Sequence, residues 1–216
     1  MKKIAVLFSL FALPILAYLF FSSGVNNFAK LPVLTENISE LSEFATLDGK
    51  PITLTNKITV LGFFGKNVDA LEGNAFNLTE KIYDKNHEFV DFQFIFLADT
   101  SQKIAVKKLL DELATTTNIK NWKVGFGTEK AIEAVFNSLQ TTQTLDDYYT
   151  TPFVYIIDKE RKLRGRIDDE DVADGKLYGY DTRSVAILSN KMADDVRVIL
   201  AEYRLALKKY NKNKSE

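Results

Sequence analysis

Two runs of this sequence are apolar almost without interruption: Ile58 to Phe64 (ITVLGFF) and Phe89 to Ala98 (FVDFQFIFLA). A strand with one wetted face alternates apolar and polar residues, so runs of this kind belong to strands covered on both faces. The stretch between them, Val68 to Tyr83, can form a helix whose apolar side is supplied by Leu71, Phe76, Leu78 and Ile82. The pattern continues. Asp99-Thr100-Ser101 is a helix start ahead of Ile104 to Leu113. Asn121 to Phe126 holds a short strand or turn, and Thr128 to Leu139 is helical, with Ala131, Ile132, Val135 and Phe136 on one face. Phe153 to Ile157 is a strand that Lys162 to Ile167 can join as a hairpin, and Thr182 to Leu207 is a long amphipathic helix. Alternating strands and helices, then a hairpin and a closing helix, predict a three-layer α/β domain.

Ahead of this domain, Phe44 to Leu54 (FATLDGKPITL) reads as a short hairpin around an Asp48-Gly49 turn. Residues 22–40 contain Ser22, Ser23, Gly24, Asn26, Asn27 and Pro32 and read as a linker. At the front, Lys2 and Lys3 precede an apolar run from Ile4 to Phe21. Its length is just enough for a hydrocarbon core that needs roughly 20 residues. Two lysines on the short flank favour a cytoplasmic amino terminus, which places the domain on the outer side. An uncleaved anchor and a cleaved signal peptide both fit the run. The expected division is an anchor or signal over 1–21, a linker over 22–40, one domain over 41–207 and a polar tail over 208–216.

Composition then removes whole classes of chemistry. Among the 216 residues there is no cysteine and one histidine, His87. No disulfide, no thiolate nucleophile and no thiolate metal ligand can come from this chain. The 28 lysines and arginines against 29 aspartates and glutamates leave a net charge of -1, which argues against a broadly basic nucleic-acid surface. No Ser–His–Asp arrangement or metal-ligand cluster is recognisable, so neither a catalytic residue nor a cofactor is expected. A chain exported without cysteine must be stabilised by its core and is consistent with a bacterial cell envelope.

The order of elements from about Leu41 to Tyr203 resembles the thioredoxin-like superfamily, and within it the SCO/SenC branch of copper-binding cytochrome oxidase assembly factors. The phrase at Phe44–Leu54 is similar to that family's opening hairpin. Ile58–Gly65 stands where its first central strand leads into the active loop. Phe153–Arg161 (FVYIIDKER) is similar to the strand ending in its "yLIDpdG" phrase. The resemblance implies a thioredoxin-like three-layer fold with a central mixed sheet. It also implies a Cys-x-x-x-Cys pair and a histidine as copper and redox ligands. Their places fall at Lys66 and Ala70 (or Val68 and Glu72) and near Thr150, and none carries the ligand. His87 corresponds to no ligand. The resemblance further implies a cis bond at Thr151-Pro152, with an exposed strand edge beside it for an extended partner segment. A trans proline at the start of a strand is the plainer reading of the same residues.

A scaffold without its family's ligands is expected to act by binding. The candidate surface is Lys66, Asn67, Val68, Asp69 and Glu72 with Tyr149, Thr150, Thr151 and Pro152. The expected partner is an unidentified envelope or membrane protein, with the membrane engaged through the amino-terminal segment. Copper chaperone or thiol-disulfide oxidoreductase is the alternative, disfavoured by the absence of cysteine. Other features read plainly. The acidic loop Asp168 to Asp174 is a solvated loop rather than a cation site. Lys162, Arg164 and Arg166 alternate along a strand and form a solvated sheet face. Tyr148, Tyr149, Tyr178 and Tyr180 line a surface or pack around a loop.

Overall fold

The structure, a computed structural model, describes residues 10–16, 18 and 30–214, with side chains through residue 206. Most of the segment read as anchor or signal, residues 1–9, 17 and 19–21, lies outside the described residues, as do 22–29 of the linker. Residues 10–16 are helical and mostly exposed. Among the described residues no helix is long and apolar enough to cross a membrane.

The strands are β1 (Val33–Thr35), β2 (Ile58–Gly65), β3 (Phe92–Asp99), β4 (Trp122–Gly127), β5 (Thr151–Ile157), β6 (Leu163–Arg164) and β7 (Tyr180–Asp181). They form one sheet in the order β1-β6-β5-β2-β3-β4, with β7 paired to β5. β2, β3 and β4 run parallel, and β5 is antiparallel to β2, so the sheet is mixed as expected. The helices are α1 (Glu72–Leu78), α2 (Asp84–Asn86), α3 (Lys103–Ala114), α4 (Glu129–Ser138), α5 (Val185–Ile187) and α6 (Ala193–Lys214). A π turn at Thr79–Tyr83 joins α1 to α2, and another at Leu188–Met192 joins α5 to α6. The Thr128 side chain caps α4 by accepting from Ala131 N–H.

Every residue of β2 is buried, because side chains alternate between two covered faces. Val60, Phe64, Phe94 and Phe96 join the core under α1, α3 and α6. Leu61, Phe63, Ile95 and Leu97 join the core under α4 and the 44–54 hairpin. A Cβ at Gly62 would collide with the Phe96 ring, which stacks on Phe64 at 4.3 Å and on Trp122 at 4.6 Å. The hairpin turns at Gly49, whose φ of 75° suits glycine.

Several boundaries differ from the sequence reading: β3 begins at Phe92 rather than Phe89, β6 is only Leu163–Arg164, and the closing helical stretch begins at Val185. Residues 31–40 are not linker. Leu31 and Ile38 are buried, and β1 pairs with β6. The closing helix runs on through Lys214, so most of the stretch read as a polar tail is helical.

The cationic strip is also corrected. Arg164 is 5% exposed and Arg166 partly buried, because β6 lies between β5 and β1 and α6 covers it. Arg164 binds Asp158 at 2.9 Å and Glu202 at 2.7 Å. Arg166 binds Asp195 at 2.8 Å, and Asp195 also accepts from the buried Tyr180 hydroxyl at 2.6 Å.

Candidate functional site

The loop after β2 is built by a close backbone approach. Gly65 has φ of 51°, and a Cβ there would overlap the carbonyl oxygens of Tyr148 and Tyr149. Lys66 N–H donates to Tyr148 O at 2.8 Å. The facing segment is held by Asp146. Its Oδ1 accepts from the N–H groups of Tyr148 (2.9 Å) and Thr150 (2.8 Å), and its Oδ2 accepts from the Thr150 hydroxyl at 2.7 Å. This side-chain-to-backbone turn lets Tyr149 sit at φ of 59°.

Side chains then close over the junction. Lys66 pairs with Glu129 in the first turn of α4, and its ammonium lies 6.0 Å from the centre of the Tyr149 ring. The Glu129 partnership raises the Lys66 pKa, and the same carboxylate raises that of Tyr149. Burial pushes Asp99 up, but hydrogen bonds from Ser101 and the charge of Lys66 leave it below the usual carboxylate value.

The structure separates the candidate residues into two groups. Lys66, Asn67, Asp69, Glu72, Tyr149 and Pro152 keep access to solvent, and Asp69 is exposed. Val68, Thr150 and Thr151 are buried. Val68 packs in the core, and its N–H meets Gln102 Oε1 at 3.4 Å. Asn67 Oδ1 accepts from Ala70 N–H at 3.3 Å and so shapes the turn into α1.

No peptide bond among the described residues is cis, so Thr151-Pro152 is trans. The open strand edge expected beside it is absent too. Pro152 O accepts from Thr182 N–H at 3.0 Å and from the Thr182 hydroxyl at 2.6 Å. β7 continues along β5 through the pairs Phe153↔Asp181 and Val154↔Tyr180. β2 occupies the opposite edge, with Phe63 facing Thr151. A two-residue strand was too short to read from the sequence, and it fills the place foreseen for an extended segment.

The donor set does not fit copper. Lys66 is an ion-paired ammonium, Ala70 a methyl group, and the Thr150 hydroxyl is donated to Asp146. Among the described residues no group of three or more His, Asp or Glu could hold a metal ion. In the acidic loop, Asp169 is buried and bound by Lys191 at 2.6 Å, which also binds Asp171 at 2.7 Å. Protein cations therefore occupy these carboxylates. His87 stacks on Tyr83 with ring centres 5.6 Å apart.

The sequence reading missed Glu129 and Asp146. An aspartate ahead of two tyrosines was a signal for the turn. Glu129 joins the site only through the fold.

No protein-family model matches the chain, and no curated protein matches it. Solved structures do. One is BsSco, a member of the Sco family of cytochrome c oxidase assembly proteins. It is 14% identical with a TM-score of 0.53, over 80% of this chain and 98% of that one. Another is a putative electron transfer protein from Aquifex aeolicus, 14% identical with a TM-score of 0.54, over 77% and 94%. A putative electron transport protein from the same organism is 15% identical with a TM-score of 0.53, over 77% and 98%. At these identities the likeness establishes the fold. The chain has the thioredoxin-like α/β fold that a Sco-family protein shares, without a cysteine of its own.

Proposed function

We propose that this is a membrane-tethered, non-redox relative of the Sco proteins that acts by binding another protein, in assembly or maintenance of a respiratory or envelope complex. One observation carries the reading. The position that the resemblance assigns to the thiol pair is filled by the Lys66–Glu129–Tyr149 cluster on a loop locked at Gly65. Dithiol exchange needs an attacking thiolate, and a soft copper site needs thiolate or imidazole donors. The residues at this position supply neither. They supply a preorganised polar surface with an aromatic ring, which suits a protein contact. The contact surface is Lys66, Asn67, Asp69, Glu72 and Tyr149, with the exposed Tyr148 beside them. The membrane tether rests on the amino-terminal apolar run.

Crosslinking and pulldown from native membranes with the full chain tests this. Recovery of an oxidase or envelope-complex subunit is expected, reduced by Glu129→Gln or Tyr149→Ala. No enrichment over an anchor-only control overturns the binding role. A copper titration of the purified chain tests the alternative. Stoichiometric binding tighter than about micromolar, roughly 8 kcal/mol, overturns the non-copper reading.

A further inference from the structure

Far from the loop after β2, a groove of about 580 Å³ runs between the α2 end and α6. Phe89, Leu200 and Leu205 give it an apolar lining, and Lys85, Arg197 and Arg204 stand on its rim. All three rim cations are exposed. The Arg204 guanidinium lies 5.4 Å from the centre of the Phe89 ring, so charge and apolar surface are in direct contact. Among the described residues Arg204 and Lys85 make no ion pair with a carboxylate. Arg197 meets Asp194 at 2.8 Å, and Glu88 is the one acid in the lining. Next to Phe89, Val90 is 81% exposed.

The charge continues along the chain. From residue 204 to 214 the same helix carries Arg204, Lys208, Lys209, Lys212 and Lys214 and no acidic residue. The whole chain is nearly neutral, so this is a local concentration of cations. A basic helix beside the exposed Val90 and the half-buried Phe89 and Leu205 matches the chemistry of an anionic bilayer surface, where each lysine or arginine adds attraction and apolar groups enter the headgroup boundary.

We propose that this face docks on an anionic membrane and seats a phospholipid in the groove, its phosphate against Lys85, Arg197 and Arg204 and its acyl chain along Phe89, Leu200 and Leu205. The inference draws on the tethered reading of the amino-terminal segment but does not need it for the lipid contact. Ser22 to Lys30 can span at most about 30 Å, so a tethered domain stays within reach of the surface.

The test is hydrogen exchange of the full chain on vesicles of phosphatidylcholine alone and with added phosphatidylglycerol, alongside vesicle flotation. Slowed exchange over 85–90 and 197–205 on the anionic vesicles only, reversed by high salt, is the expected result. Lys85→Gln with Arg204→Gln lowers the docked-to-undocked ratio about 30-fold, while Lys107→Gln on α3 changes nothing. Flotation with neutral vesicles but no protection of the groove on anionic ones overturns the docking and leaves the tether standing. Failure to float with neutral vesicles overturns the tether, while salt-sensitive groove protection on anionic ones still supports the docking. Equal protection by heparin or an oligonucleotide in solution overturns the lipid in favour of a soluble polyanion.

Discussion

Arg164 and Asp158 are joined at 2.9 Å at positions 5% and 1% exposed, which makes this ion pair part of the interior. Arg164 also donates to Leu31 O at 2.7 Å and to Glu202 at 2.7 Å. One guanidinium thus ties the start of the domain, the β5–β6 turn and α6. A buried pair that loses one partner leaves the other charge uncompensated. Arg164→Leu is therefore expected to cost about 3–5 kcal/mol, read from urea denaturation. Adding Asp158→Asn should recover part of that loss, and a loss no larger than that of an exposed ion pair would refute the interior role.

The junction at Gly65 predicts a second large effect. Gly65→Ala adds a Cβ where the Tyr148 and Tyr149 carbonyl oxygens already sit, at a φ that disfavours it. Destabilisation of about 2 kcal/mol or more is expected, with changed exchange over 146–151. Gly73→Ala is the control, since its Cβ would meet nothing within 4 Å.

Glu40 sets the acid response. Burial raises its pKa, but hydrogen bonds from Thr55, Leu41, Leu54 and Thr53 more than offset this and lower it from the ordinary glutamate value to about 2. A carboxylate lowered on folding contributes stability that is present above its unfolded value and lost as pH falls through the folded one. Unfolding measured from pH 5 down to about 2 should show a stability decline that Glu40→Gln flattens. An unchanged slope in that variant would remove Glu40 from the acid response.

Glu129 can be tested through its neighbours. Because it raises the Tyr149 pKa, Glu129→Gln should bring one phenol titration downward in an ultraviolet pH titration. The Lys66 pKa is raised by the same carboxylate, so its contribution is full below the ordinary lysine value and lost as pH rises through the folded one. The variant should weaken that alkaline dependence. A phenol titration identical in both proteins would separate Glu129 from Tyr149.

Much of the fold was legible because its central strands are covered on both faces. ITVLGFF and the FQFIFLA part of the second run read as interior strands and are, whereas Phe89 to Asp91 precede the strand and Val90 is exposed. Asp99 marked a helix start, and its side chain accepts from Ser101 N–H there. What escaped reading was set by distant partners. The alternation of Lys162, Arg164 and Arg166 is that of a wetted strand, and it takes Asp158 with Glu202 and Asp195 on α6 to make Arg164 interior and Arg166 partly buried. Pro32 and Asn37 hid the burial of Leu31 and Ile38 behind turn chemistry. Of the site, the Lys66 loop and Tyr149 were legible as neighbours through the resemblance. The carboxylate that joins them comes from a helix with no local signal for it.

β7 has a further consequence. A strand with free N–H and C=O groups invites pairing with any extended chain, including another copy of itself. By answering Pro152 O and flanking Phe153 and Val154, the short run Tyr180–Thr182 withholds that invitation at the middle of the sheet. The backbone groups beside the loop after β2 are thus answered within the fold rather than left for another chain.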